Sequence, residues 1–195
     1  MQKGNYHHGA LKEEMIRKGL VLINNEGIKG FSLRKVAAMC GVSHTAPYKH
    51  FKNKEELMEA ISNRVLQSFS ECLSKGIEED KKKSMSMATV GKAYVAFMLE
   101  NKEYFRFIFF SECGVRVKLE KDKFVYNEGN PFGVFCSGAT AYLEQFIEDR
   151  VQINFIILNM WSIVHGISTL IINGNFEYDG NYEELVQKML CLHPK

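Results

Sequence analysis

The residues with the clearest chemical signature lie between Phe31 and Phe51. In the second half of this stretch, the hydrogen-bonding side chains His44, Thr45 and Lys49 follow a glycine. Side chains of these types contact base edges in the major groove of DNA and the oxygens of its phosphates. The stretch therefore predicts a nucleic-acid interface.

Two short helices are needed to present these side chains. Ser32 is an N-cap candidate for a helix that ends at Gly41, and Ser43 is an N-cap candidate for a second helix that reaches about His50. Pro47 falls in or just after the first turn of the second helix, where its missing N–H costs little. This spacing predicts a helix-turn-helix whose second helix enters the major groove.

Six residues of this region are predicted to contact DNA: Ser32, His44, Thr45, Tyr48, Lys49 and Lys54. For Tyr48 the alternative to a phosphate contact is packing of the ring, and for Lys54 it is simple solvation. His50 is expected to pack beside Phe51. The arm at residues 6–8 is expected either to reach neighbouring phosphates or to form a disordered terminus.

Charge is distributed unevenly along the 195 residues. Residues 1–75 contain 12 basic and 7 acidic side chains, whereas residues 76–195 contain 13 basic and 16 acidic ones. This distribution is typical of a polyanion-binding head on a different kind of body, although ordinary solvated surfaces also show it. It supports the DNA interface only together with the helix-turn-helix spacing.

The apolar periodicity and the three prolines predict an all-α fold, with a three-helix DNA-binding head and a larger helical body. Helices are expected at residues 9–25, 53–74, 88–99, 102–110, 133–149, 151–173 and 182–191. Strands are not expected, and residues 111–130 are predicted to be a loop or poorly ordered. The predicted domains are 1–52 for DNA binding, 53–75 as a connecting helix, and 76–195 for effector binding and dimerisation, with a charged run at 78–83 near the last boundary.

Aromatic residues concentrate in the second part of the chain, which holds 11 of the 14 Phe and the only Trp. This excess predicts a pocket for a largely apolar ligand that is neutral or carries one positive charge. The candidate effector-binding residues are Phe97, Phe105, Phe109, Phe146, Trp161 and His165. Ordinary core packing is the alternative for each of them.

Residues 153–172 contain no charged side chain and are long enough to cross a membrane. However, Asn154, Asn159, Ser162 and His165 interrupt the segment, and no Lys/Arg cluster flanks it. We therefore favour a helix covered by its own domain and by a second subunit over a membrane span.

The sequence offers no motif for catalysis or metal binding. No nucleophile elbow, P-loop or dinucleotide fingerprint occurs, and neither His7-His8 nor the Cys191 and His193 pair has metal-ligand spacing. No metal and no cofactor are therefore expected. The alternative to a DNA-binding regulator is a small-molecule-binding helical protein or an enzyme without DNA binding. Five scattered cysteines and the lack of an apolar N-terminal signal segment predict a cytoplasmic protein.

The head closely resembles the TetR family of bacterial transcriptional regulators. The matching residues are Gly27, Phe31-Ser-Leu, Val36-Ala37, Gly41-Val42-Ser43, Tyr48-Lys-His-Phe51, Lys54 and Leu57. The opening Tyr6-His-His-Gly-Ala-Leu-Lys and the core Thr45-Ala-Pro-Tyr are similar to one subgroup. Trp161-Ser-Ile-Val-His-Gly166 resembles the Trp…His-Gly signature of that subgroup's C-terminal domain. Val36 departs from the family, which more often has Ile there, and nothing carries over to residues 111–130.

The resemblance implies an all-helical homodimer with two DNA-binding heads and a ligand-responsive body. It also implies that the ligand lowers or alters the affinity for DNA by shifting the distance between the heads. Together with the aromatic excess, this predicts a repressor that a small apolar effector releases from its operator. A two-fold protein is expected to read a palindromic site in double-stranded DNA, with half-sites roughly 34 Å apart or a multiple of that distance.

Overall fold

The computed structural model describes residues 8–83, 87–110 and 114–191, and its regular structure there is almost all helical, as predicted. Tyr6 and His7 of the predicted arm lie outside the described residues. The elements are α1 (His8–Gly30), α2 (Leu33–Met39), a 3-10 helix (Ala46–Lys49), α3 (Lys54–Lys83), α4 (Ala88–Glu100), α5 (Lys102–Phe110), β1 (Lys118–Glu120), β2 (Lys123–Val125), α6 (Pro131–Leu143), α7 (Arg150–Ile172) and α8 (Tyr182–Cys191).

The chain forms two compact units, Met1–Val65 and Leu66–Lys195. The division falls inside α3, so this one helix contributes residues to both units. The charged run at 78–83 belongs to the end of α3.

The first unit encloses a small apolar core between α1, α2 and the start of α3. Met15 and Val36 are fully buried there, as are Leu57 and Ile61, one helical turn apart on α3. Gly19 lets α1 approach this core closely, because an added Cβ would lie 2.6 Å from the Ile61 side chain.

Helix α1 runs five residues beyond its predicted end. Gly27, the predicted stop, leaves helical geometry with φ +71° and ψ 176°, and the chain then resumes a short helical segment as far as Gly30. Glycine adopts this left-handed φ without the steric cost that a Cβ adds. Gly27 therefore acts as a kink, followed by one more turn.

In the second unit, α4 lies against α7 and α8. Gly91 of α4 makes the approach possible, because an added Cβ would collide with the Leu190 side chain and come within 3.3 Å of Val164. Val90, Tyr94 and Met98 complete the buried face of α4. Close packing at this small residue thus places the apolar face of α4 in the core of the second unit.

The structure contradicts the prediction that residues 111–130 form an irregular loop and that strands are absent. Strands β1 and β2 pair antiparallel, with Leu119 opposite Phe124, and form a two-stranded hairpin. The turn residues Lys121 and Asp122 have φ values of +45° and +63°, the geometry of a two-residue hairpin turn. Three-residue strands that are mostly exposed carry too little alternation to be recognised in the sequence.

Helix α6 ends at Leu143, six residues before its predicted end. Asp149 explains the difference, because its carboxylate accepts a hydrogen bond from the Val151 backbone N–H at 2.8 Å and so begins α7. Glu144, directly after α6, forms an ion pair with Arg150, the first residue of α7. The chain must leave α6 before the residue that caps the next helix.

Helix α7 matches its predicted range within one residue at each end and is apolar and long enough to cross a membrane. Nine of its side chains, among them Ile157 and Val164, are nevertheless buried in the second unit. Packing in the core accounts for the apolar residues on this side of α7, whereas Phe155 and Leu170 on its other side are exposed.

Candidate nucleic-acid interface

The first helix of the predicted motif is capped as expected. The Ser32 hydroxyl accepts a hydrogen bond from the Lys35 backbone N–H at 3.3 Å, and Ser32 itself has extended backbone geometry. Lys35 also donates from its ammonium group to the Gly30 carbonyl at 3.0 Å and pairs with Glu26. The N-terminus of α2 is therefore held firmly, with the Ser32 side chain half-buried.

The turn between the two helices depends on Gly41, whose φ is +67°. Beyond it, the Val42 backbone N–H donates back to the Ala37 carbonyl at 3.1 Å. Ala37 is fully buried, so the turn is tied directly to the core of the first unit. This rigid connection sets the direction in which the next residues point.

The second helix of the motif differs from the prediction. It is a 3-10 helix of four residues, and Ser43 does not cap it through a described side-chain bond to the backbone. Instead, the Ser43 carbonyl accepts from the Ala46 N–H at 3.0 Å, and the Ser43 and Thr45 hydroxyls lie 3.1 Å apart. The Tyr48 N–H likewise donates to the Thr45 carbonyl at 3.3 Å, so the hydrogen bonds of this segment span three residues, as in a 3-10 helix.

This short helix nevertheless separates an anchoring side from an exposed side. Pro47 is buried, and its carbonyl accepts from the Phe51 N–H at 2.9 Å, while the Phe51 ring is 2% exposed. His44, Thr45 and Lys49 are exposed, and the Tyr48 side chain is 62% exposed. An exposed Tyr offers both an apolar ring and a hydroxyl that can hydrogen-bond a phosphate, so this arrangement suits a contact with a nucleic acid.

Lys54 stands at the first position of α3. Its side chain is half-buried, its ammonium group donates to the Ile28 carbonyl at 3.3 Å, and it lies 5.7 Å from the centre of the Phe31 ring. The stem thus packs on the core while the charge stays at the start of the helix. Asn53 caps this helix by accepting from the Glu56 N–H at 2.9 Å.

One basic residue near the motif was missed by the sequence reasoning. The Lys12 ammonium group on α1 lies 5.7 Å from the centre of the Phe51 ring. A cation placed over a ring face stabilises the ring's position by about 0.5–1 kcal/mol at exposed sites. No local sequence signal links Lys12 to Phe51, because they are distant along the chain.

In the second unit, five of the six predicted effector-binding residues take part in two sets of ring contacts, one around Trp161 and one around His165. Phe97 stacks on Phe69 at 5.1 Å, and Phe69 lies 6.2 Å from Trp161. His165 lies 5.2 Å from the Phe105 ring and 4.4 Å from the Phe109 ring. We call these two sets, together with Tyr94, the aromatic cluster.

Tyr94 was missed by the sequence reasoning and links the two sides of the cluster. Its fully buried ring contacts Trp161 edge-on at 5.0 Å, and its hydroxyl oxygen lies 3.1 Å from His165 Nδ1. Burial raises the pKa of the Tyr94 phenol well above 10 and lowers the pKa of His165 below 6.5. Both groups are therefore uncharged at neutral pH and share one neutral hydrogen bond.

Phe146 does not belong to the cluster, contrary to the prediction. Its side chain is 70% exposed after the end of α6, where the ring contacts Tyr142 at 5.4 Å. The early end of α6 carries Phe146 out of the core. Phe97 also borders a cavity of about 560 Å³ between α3 and α4, whose other lining residues include Ser68, Cys72 and Lys92.

Within the described residues, no group of three or more His, Cys, Asp and Glu side chains is arranged to hold a metal ion. Taken together, the described residues form a helix-turn-helix with exposed hydrogen-bonding and basic side chains, followed in the chain by a helical unit with an aromatic cluster.

Comparison with known proteins agrees with this class. Residues 15–61 match the family model described as "Bacterial regulatory proteins, tetR family". Residues 87–192, more than half of the chain, match "Tetracyclin repressor-like, C-terminal domain". The chain belongs to the TetR family and is a transcriptional regulator with a helix-turn-helix DNA-binding domain, not an enzyme.

Individual relatives match only part of this chain. Tetracycline repressor protein class C from Escherichia coli is 40% identical over 55 residues, which are 28% of this chain and 25% of that protein. Tetracycline repressor protein class D from Escherichia coli is 27% identical over 95 residues, or 49% of this chain and 38% of that protein. The matched part of the chain thus spans between a quarter and two fifths of the length of these relatives.

Solved structures share the whole fold. A protein of unknown function from Rhodococcus sp. RHA1 has a TM-score of 0.76 at 22% identity and covers 96% of this chain and 95% of its own. A TetR family transcription regulator from Shewanella sp. PV-4 has a TM-score of 0.68 at 16% identity and covers 92% and 95% of the two chains.

Proposed function

We propose that the protein is a homodimeric repressor that binds a palindromic operator in double-stranded DNA and is released by a small, largely apolar effector. The observation that carries this proposal is the exposed Tyr48 beside His44, Thr45 and Lys49 on a rigid helix-turn-helix. TetR-family regulators bind operator DNA, and we place this one in the cytoplasm.

Selection of bound sequences from a random double-stranded DNA pool tests the DNA-binding part. We expect one enriched motif with two-fold symmetry, bound more tightly than random DNA at every salt concentration. Equal affinity for all sequences would contradict operator recognition and would leave only non-specific binding to phosphates.

The proposed dimer face lies on α6 and the exposed side of α7. Phe155 is 60% exposed, and Val151, Leu158 and Leu170 are between 38% and 43% exposed. Residues 151–176 carry no charged side chain, so this exposed side is uncharged from Val151 to the end of the helix. Exposed apolar surface of this extent is typical of a protein–protein interface, and a second copy of the chain offers the same surface.

The aromatic cluster supports the effector part of the proposal. Its rings are largely apolar, its two ionisable members are neutral, and Phe97, Phe109 and His165 remain partly accessible. The cavity beside Phe97 adjoins the cluster at that ring only, and its lining includes charged residues such as Glu71 and Lys75, so the apolar character of the proposed site comes from the cluster. A neutral or singly cationic apolar molecule is the ligand that such surroundings accept.

A thermal-shift screen of apolar compounds tests this part, with operator release and Trp161 fluorescence measured for each hit. A ligand at a hundred times its dissociation constant should stabilise the protein by about 2.7 kcal/mol. Replacing Phe109 with Leu should weaken the hit, whereas Phe146→Leu, outside the cluster, should not. A hit that stabilises the protein but leaves the operator bound would contradict the regulatory role.

A further inference from the structure

The hairpin of β1 and β2 is held to the second unit at several points. The Phe124 ring packs against the Phe132 ring at 4.8 Å, and Asn130 Nδ2 donates to the Arg116 carbonyl at 3.0 Å. At the tip, Asn154 Nδ2 of α7 donates to the Asp122 carbonyl at 2.6 Å. The hairpin is therefore a fixed part of the fold that lies along the start of α7.

Despite this fixation, the hairpin leaves much of its apolar surface uncovered. Val117, Leu119 and Tyr126 are 37–42% exposed, and Val125 is 48% exposed. Leu119 shares one face with its cross-strand partner Phe124, whereas Val125 shares the opposite face with Lys118. Both faces of the hairpin thus present apolar side chains to solvent, which packing onto its own unit does not explain.

The hairpin is joined to the helix that carries the proposed dimer face. Asn154, which holds the hairpin tip, is the immediate neighbour of Phe155 and lies one turn from Val151 and Leu158. The hydrogen bond at the hairpin tip therefore anchors the hairpin to the turn of α7 that begins the proposed dimer face.

We propose that the hairpin is an arm that packs against a second copy of this chain and enlarges the dimer interface. This inference rests on the dimer proposed above. In a two-fold dimer each chain contributes the same surface to the interface. A hairpin next to that surface therefore increases the buried area twice, once from each chain. A fixed, preorganised arm also loses little conformational entropy when it docks.

The arm's two faces suggest the pair of variants for the test. Leu119→Glu and Val125→Glu place a charge on opposite faces of the hairpin without touching its anchors at Phe124 and Asn154. Sedimentation velocity over a range of protein concentrations measures the dimer dissociation constant. The double variant should raise that constant at least about tenfold, because two apolar side chains lose their cover and two charges must be desolvated.

Two control variants distinguish the contribution of the hairpin to dimerisation from that of the α7 face. Gln187→Glu adds a charge on the exposed side of α8 and should leave the dissociation constant unchanged. Phe155→Glu should dissociate the dimer through α7. If Phe155→Glu dissociates the dimer and the hairpin double variant does not, the proposal that the hairpin packs against a second copy is wrong, and the proposed dimer face on α7 is supported. If neither changes the dissociation constant, the dimer face is wrong as well.

A second measurement covers the case in which the double variant folds poorly. A photo-reactive phenylalanine analogue at position 125 should form a covalent dimer on illumination, and the same analogue at position 187 should not. Cross-links confined to a single chain would overturn the proposal. So would an unchanged dimer whose hairpin variants alter the binding of an apolar ligand, because the hairpin would then cover a ligand site.

Discussion

At the level of single residues, the DNA-facing side chains differ in how firmly they are held. Lys54 is tied to the Ile28 carbonyl, whereas Lys49 lies exposed at the end of the 3-10 helix. A lysine that contacts a phosphate adds a salt-dependent contribution to affinity and little sequence preference. Lys49 and Tyr48 are therefore the residues whose removal should affect binding with the least effect on folding.

Lys49→Ala should weaken binding to all DNA sequences and should reduce the slope of log affinity against log salt by about 1. Tyr48→Ala should cost about 1 kcal/mol or more of binding free energy. Fluorescence anisotropy at several salt concentrations measures both changes. Lys188→Ala, on α8, is the matched control and should leave the slope unchanged. An unaltered slope for Lys49→Ala would remove this residue from the interface.

His165 makes the stability of the protein depend on pH. Burial lowers the pKa of His165 in the folded state, so the unfolded chain takes up the proton more readily as the pH falls. The folded state therefore has its full stability with respect to His165 above about pH 6.5, where this side chain is neutral in both states. Stability is lost as the pH falls below that value, because only the unfolded chain readily takes up the proton.

Urea unfolding should therefore show a decline in stability between about pH 7.5 and pH 5.5, and His165→Gln should flatten this decline. His44→Gln, which changes an exposed histidine, is the control and should keep the parent slope. If the His165 variant declines as steeply as the parent, another group governs the pH dependence.

At the level of elements, the hairpin turn carries a local cost. Asp122 has φ +63°, and a non-glycine residue in the left-handed region costs roughly 1–2 kcal/mol. The hydrogen bond from Asn154 to the Asp122 carbonyl offsets part of this cost. The tertiary contact thus maintains a turn that its own sequence does not favour.

Asp122→Gly should stabilise the protein by about 1 kcal/mol, because glycine adopts a positive φ freely and the Asn154 bond to the backbone is kept. Glu120→Gly, in β1, should instead destabilise it by about 0.5–1 kcal/mol. Thermal unfolding of both variants checks the sign of each effect. Destabilisation by Asp122→Gly would mean that the Asp122 side chain makes a contact that outweighs the strain.

At the level of the whole molecule, a substitution at Gly166 can distinguish the folding stability of a single chain from the association of two chains. An added Cβ at Gly166 meets no atom within 4 Å, and the residue follows the exposed Ser162 by one turn on the side of α7 that bears Phe155 and Leu170. Small residues on such a side allow two helices to approach closely.

Gly166→Leu should therefore leave the single chain folded, since nothing in it obstructs the new side chain, but should weaken the dimer and its binding to a palindromic operator. Gly91→Leu is the contrasting variant and should unfold the protein, because the side chain would collide with Leu190. Circular dichroism and sedimentation distinguish the two results. A Gly166→Leu protein that dimerises like the parent would exclude this side of α7 from the interface.

Much of the first unit could be predicted because its signals are local. The Ser32 cap, the Gly41 turn and the Asn53 cap each depend on residues at most five positions apart, and such local hydrogen bonds form independently of the tertiary fold. The same holds for the limits of α7 and α8, which follow from Asp149 and from Asn181, whose side chain caps the first turn of α8. The family resemblance also rests on this short, closely spaced set of residues.

Tertiary structure alone decided the features that depend on distant partners. Tyr94 meets His165 across 71 positions of sequence, and Asn154 holds the hairpin turn from 32 positions away. The exposure of Phe146 likewise depends on where α6 stops against the rest of its unit. Composition predicted that aromatic residues would gather, but which rings meet is set by packing, because the free energy of a ring contact arises only when separate helices are brought together.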